Sequence, residues 1–128
     1  MRSRQKALLV VDLARSKMAE DIVVLDMRKI SNITDFFVIA TAGSTRRAQT
    51  ITDNIENGLI TKEESLSGIE GYQEGRWILI DACDVVAHIF SGDIRRFYNL
   101  ESLWGDAPRV RLCQRKRKKS SRKTSKRK

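Results

Sequence analysis

The chain of 128 residues has one proline, one histidine, two cysteines and eight aromatic residues. Each scarcity excludes something. Cys83 and Cys113 lie 30 residues apart and outside any paired Cys/His ligand spacing, which argues against a zinc site and reads as two free thiols in a reducing compartment. A lone His88 leaves no His-rich metal or catalytic cluster. No apolar run approaches the roughly 18 residues that span a bilayer. The first residues, Met1 to Leu9, are basic but carry no cleavable apolar core. Such a chain is expected to act in the cytoplasm as one domain with one core, without a membrane, a metal or a cofactor.

Charge is present but unevenly spread. The formal net charge is +9, yet residues 109–128 hold 12 of the 25 Lys and Arg and no acid. Residues 1–108 therefore carry 13 cations against all 16 acids, a net of −3. The reading is a mildly acidic globule over 1–108 and a basic, disordered tail over 109–128, whose run Arg115, Lys116, Arg117, Lys118 and Lys119 has charge for phosphates but no aromatic platform for bases.

Periodicity gives the elements. Leu8, Val11 and Met18, with Leu9 and Leu13, suggest a helix over 5–19. Ile22 to Leu25 and Phe36 to Ala40 are short β-branched runs without polar alternation, read as strands covered on both faces. Gly43-Ser44 ends a strand and caps a helix whose stripe is Ala48, Ile51, Ile55 and Leu59. Residues 63–75 read as a loop or frayed connection. Trp77 to Ala82 and Val85 to Phe90 form a tight hairpin around Cys83-Asp84. A short helix over 93–103, with Ile94, Phe97, Tyr98 and Leu103 inward, precedes Pro108. The sum is an α/β domain, in two or three layers, around a small mixed sheet.

Two carboxylates, Asp81 and Asp84, could hold Mg²⁺, and Gly43-Ser44 could offer backbone donors to a phosphate. The nucleotidyltransferase pattern, however, places its two carboxylates one residue apart and close after the Gly-Ser. Here they are two residues apart and 38 positions beyond Gly43, so no metal site and no catalysis are expected. His88 sits in an apolar strand with Val86 and Phe90 on its face, and Cys83 falls on the other, so a Cys/His pair is not formed. Trp77, Tyr98 and Trp104 cluster late in the globule beside Arg76, Arg95 and Arg96, the composition of an interface hot spot as much as of a core.

Three segments together are similar to the Iojap-like ribosomal silencing factor family: DIVVLDMRKISNITDFFVIATAGSTRRAQTI at 21–51, EGYQEGRWILIDACDVVAHIF at 70–90 and RRFYNLESLWGDAP at 95–108. The resemblance implies a nucleotidyltransferase-like fold without catalytic carboxylates. It implies binding to the large ribosomal subunit through ribosomal protein fourteen, a block on subunit joining, and repression of translation when nutrients are scarce. The interface expected on that basis is Trp77, Asp81, Asp84, His88, Tyr98 and Trp104, in a monomer or weak homodimer, with the tail adding non-specific contact with ribosomal RNA. The alternatives are a divergent nucleotidyltransferase and an RNA-binding protein acting through its tail. One departure stands out: the family carries glycine where Cys83 stands, so either a retained turn strains Cys83 by about 1–3 kcal/mol or the turn rearranges locally.

Overall fold

The computed structural model describes residues 1–92 and 107–112. The helix expected over 93–103, and with it Tyr98 and Trp104, lies outside the described residues, as do Cys113 and the run Arg115 to Lys119. The described elements are α1 (Ser3–Arg15), β1 (Glu20–Asp26), β2 (Phe36–Ala42), α2 (Thr45–Thr61), β3 (Gly68–Glu70), β4 (Trp77–Asp81) and β5 (Val85–Ser91). They build one mixed sheet in the order β1-β2-β5-β4-β3, in which β2 and β5 are parallel and every other pair is antiparallel.

Both helices lie on one face. α2 is the element the sequence specifies most directly. Ser44 caps it by accepting from the Arg47 N–H at 3.0 Å, and Ala48, Ile51, Ile55 and Leu59 are all fully buried. Each large apolar side chain so placed contributes on the order of 2 kcal/mol. The apolar stripe meets Phe36, Val38 and Ala40 of β2, Val85, Ala87 and Ile89 of β5, and Ile78 and Ile80 of β4.

α1 is shorter than its periodicity suggests. It ends at Arg15, and Met18 stands in the following turn at φ 70°, largely exposed. The buried stripe is Ala7, Val10, Val11 and Ala14, whose small members let the helix sit close to the sheet. Asn54 of α2 donates to the Leu13 carbonyl and to Ser16 Oγ, both at 2.8 Å, which satisfies part of the open C-terminal turn of α1. Lys6 is also buried. Its ammonium donates to the Ala82 carbonyl at 2.6 Å and pairs with Asp84 Oδ1 at 3.1 Å, fastening the start of α1 to the β4–β5 hairpin.

The connection over 63–75 is more ordered than its polarity implies. It contains β3, and its distal part is tied to α2: Gln49 Nε2 donates to the Tyr72 carbonyl at 2.8 Å, and the Tyr72 hydroxyl donates to Asp53 at 2.9 Å. That bond raises the Tyr72 pKa above its ordinary value. At the other side of the sheet the chain beyond Ala107 lies along β1. Asp26 N donates to the Pro108 carbonyl, Arg109 bridges Leu25, and Val110 N donates to Val24, so this β1 edge is paired.

The hairpin turn spans Ala82 to Asp84. Cys83 adopts φ 72°, the left-handed conformation that glycine occupies without a Cβ penalty. Its N–H donates to Asp81 Oδ1 at 3.0 Å and its side chain is exposed. Replacing Cys83 by glycine should therefore raise the unfolding free energy by about 0.5–1 kcal/mol, the Cβ relief exceeding the added freedom of the unfolded chain. Guanidinium denaturation of the two proteins measures the difference, and a less stable Cys83→Gly protein would refute strain at the turn.

Candidate functional site

The face of the sheet away from the helices brings together three of the six expected residues, Trp77, Asp81 and His88. Strand register arranges its side chains in rows. Leu25, Phe37, Val86 and Asp81 form one; Val23, Ile39, His88 and Leu79 the next; Thr41, Phe90 and Trp77 the third. Leu25, Ile39 and Phe90 are buried, while Val23, Phe37, Val86, Leu79 and Trp77 remain partly exposed. The face is apolar and aromatic at its centre, with Asp81 at its margin.

Trp77 and His88 occupy that centre together. The Trp77 indole N–H donates to His88 Nδ1 at 3.2 Å, and its ring stacks on Phe90 with centroids 5.3 Å apart. Phe37 meets the imidazole edge-on at 4.9 Å. Since Nδ1 accepts, the imidazole proton sits on Nε2, and that nitrogen is buried without a partner among the described residues. Burial pushes the His88 pKa down from 6.5 to about 4, so the ring is neutral at pH 7. Trp77 is half-buried, with its ring packed on Phe90. With Leu79, Glu70 and Gly71 it lines a hollow of about 230 Å³.

The two hairpin carboxylates part company. Asp81 lies on this face and also caps the Cys83 N–H, whereas Asp84 is turned to Lys6. Besides, the Asp84 carbonyl accepts from the N–H groups of Asp35 and Phe36. Asp84 therefore holds the hairpin, α1 and the start of β2 in register, and the two carboxylates have separate partners, the Cys83 N–H and the Lys6 ammonium. Among the described residues no group of three or more His, Cys, Asp or Glu is placed to hold a metal ion, and no helix is long and apolar enough to cross a membrane.

Sequence reasoning placed Val86 and Phe90 beside His88 but missed Phe37 and Leu79 as members of the face. Period-two alternation from Trp77, carried along β4, would have found Leu79; Phe37 arrives through the parallel β2–β5 pairing, which no local signal announces.

Comparison with known proteins gives a consistent result. A family model described as "Ribosomal silencing factor during starvation" matches residues 1–128. A ribosomal silencing factor of Halalkalibacterium halodurans is 41% identical over 112 residues, covering 88% of this chain and 96% of that protein. One of Bacillus subtilis is 44% identical over 111 residues, covering 81% and 90%. A crystal structure of a protein from Chromobacterium violaceum superposes with a TM-score of 0.80 at 28% identity, covering 82% of this chain and 88% of the other.

Proposed function

This chain belongs to the ribosomal silencing factor family, and we propose that it binds the large ribosomal subunit through ribosomal protein fourteen and keeps the small subunit from joining. The observation that carries the docking side of this reading is the half-exposed aromatic face around Trp77. An anchor ring already stacked on Phe90 loses little freedom on binding, and Val86, Leu79 and Phe37 extend a surface that a partner would desolvate. Asp81 at the margin gives a negative group toward a basic ribosomal protein. On this reading the protein acts by occupying a surface and catalyses nothing; Asp81 serves the hairpin turn and the interface, and Asp84 the hairpin alone.

The test is sedimentation with separated subunits. The protein is expected to travel with large subunits and to lower the yield of joined ribosomes. The Trp77→Ala protein, shown folded by circular dichroism, should bind large subunits more weakly by roughly 2 kcal/mol or more. The Trp77→Phe protein, which keeps the stacking, should lose less. Equal binding to both subunits with no effect on joining would sink the proposal, and full binding by folded Trp77→Ala would remove this face as the docking site.

A further inference from the structure

One end of the sheet carries a charge the proposed docking does not use. Two adjoining cavities of about 440 and 540 Å³ share Arg28. Asp26, Arg28, Lys29 and Pro108 line the first among the described residues; Arg2, Ser3, Arg4, Gln5, Arg28 and Asp35 line the second. Four cations thus meet two acids, a net of +2 on a globule whose residues 1–108 sum to −3.

The four cations are not alike. Arg28 is fixed: it forks onto Asp26 through Nε at 2.9 Å and Nη2 at 2.6 Å, and its guanidinium lies 5.2 Å from the Phe36 ring centre. The same pair holds the Asp26 carboxyl below the ordinary carboxylate range. Arg2, Arg4 and Lys29 are exposed and form no ion pair with the described residues. Lys6, which could have joined them, is spent on Asp84. Three free cations therefore surround a clamped guanidinium, with Asp35 the one acid lining the cavities that is not engaged in an ion pair among the described residues.

We propose that the cleft formed by Arg2, Arg4, Arg28 and Lys29 is a phosphate-backbone site for RNA, separate from the basic tail. Planar guanidinium forks and an ammonium suit phosphodiester oxygens, and contacts of this kind position a partner without reading its sequence. The place fits as well. Arg28 and Lys29 follow the C-terminal end of β1, and Arg2 and Arg4 open α1, which Lys6 fastens to the hairpin tip. The cleft therefore adjoins the row Leu25, Phe37, Val86 and Asp81 of the docking face. A ribosomal protein seated on that face would bring its own RNA alongside. The choice of RNA as occupant rests on the ribosome-binding reading above; the charge of the cleft does not.

The experiment uses the full chain and a fluorescein-labelled RNA duplex of arbitrary sequence, followed by anisotropy at several KCl concentrations. To separate cleft from tail, every cleft variant is made both in the natural chain and in a full-length chain with Arg115, Lys116, Arg117, Lys118 and Lys119 changed to Gln. In the latter background R2E/R4E/K29E should reduce affinity at low salt at least about tenfold and flatten the log-log salt slope by roughly 2–3, close to one for each phosphate no longer neutralised. R2K/R4K/K29R should retain both. All three side chains are exposed, so melting by circular dichroism should not move. An unchanged slope in the charge-reversed protein overturns the site. So does displacement of RNA by polyglutamate as effectively as by unlabelled RNA of equal charge, which would assign the cleft to an acidic protein. No ribosome enters this assay, so RNA binding that charge reversal of the cleft removes, in a natural chain that fails to sediment with large subunits, would refute the docking proposal and leave the cleft standing.

Discussion

Replacing Gly71 by alanine should lower the unfolding free energy by roughly 2–4 kcal/mol, as backbone strain and overpacking add. Gly71 follows β3 and turns the chain toward β4 at φ +79°, where an L side chain is strained in any surroundings. A Cβ there would stand 2.3 Å from the Trp77 carbonyl oxygen. That oxygen belongs to a strand and cannot withdraw as the end of a side chain would. Trp77 is paired with Phe90 across the β4–β5 ladder, so relief must come from shifting the edge of the sheet. The loop is also held from the other side by Gln49 and Asp53 of α2. The matched control is Gly68→Ala, whose Cβ would meet nothing within 4 Å and whose φ is not positive. It should cost well under half as much in the same denaturant titration. A Gly71→Ala protein no less stable than Gly68→Ala would mean that the loop yields and that Trp77 is not pinned by it. On the proposed docking, the same substitution should also weaken large-subunit binding, since it moves the backbone that carries the Trp77 ring.

How much of this was legible in the sequence depends on whether the signal was local. Ser44 and the stripe Ala48, Ile51, Ile55 and Leu59 specify α2 because a cap and a 3.6-residue period are local facts. The runs 22–25, 36–40, 77–82 and 85–90 fall inside or overlap observed strands because β-branched, uninterrupted apolar segments have few other uses. At Cys83 the resemblance left open a strained, retained turn or a local rearrangement, and φ 72° is the retained, left-handed one. Met18 misled because an exposed turn residue fell on the helical period. β3 gave almost nothing to read: three residues with Ile69 alone apolar, an edge strand with one side of its ladder paired. Lys6 was illegible in a different way. Its burial is made tolerable by the Ala82 carbonyl and by Asp84, 76 and 78 positions away, and no pattern in α1 could reveal partners so distant. For the same reason Asp84 read as an interface residue although its carboxylate is engaged within the fold. The parallel pairing of β2 with β5, which completes the aromatic face, is non-local in the same sense.

His88 should make the fold acid-sensitive in a window set by its own two pKa values. In the unfolded chain the imidazole titrates near 6.5; in the folded protein burial pushes it down to about 4. Between those values the unfolded state binds a proton that the folded state refuses. Stability therefore rises with pH across the window and is lost as pH falls from about 6.5 toward 4, with a limiting slope of about 1.4 kcal/mol per pH unit and a total of roughly 3 kcal/mol. Geometry explains why the folded state refuses the proton. Nδ1 already accepts from the Trp77 indole N–H, so protonation there would set two donors against each other, and the charged ring would be 5% exposed between Phe37 and Phe90. Acid should thus loosen the same contact that orients Trp77 on the proposed docking face. The comparison protein is His88→Gln, whose amide oxygen can accept from Trp77 and does not titrate. Carboxylates shared by both proteins, including Asp26 with its lowered pKa, cancel in the difference. Urea denaturation at several pH values should show the natural chain losing stability relative to His88→Gln as pH drops through the window, with no change in the difference above it. Parallel pH profiles for the two proteins would show that His88 titrates as a solvated imidazole and that the Trp77–His88 pair does not hold the face together.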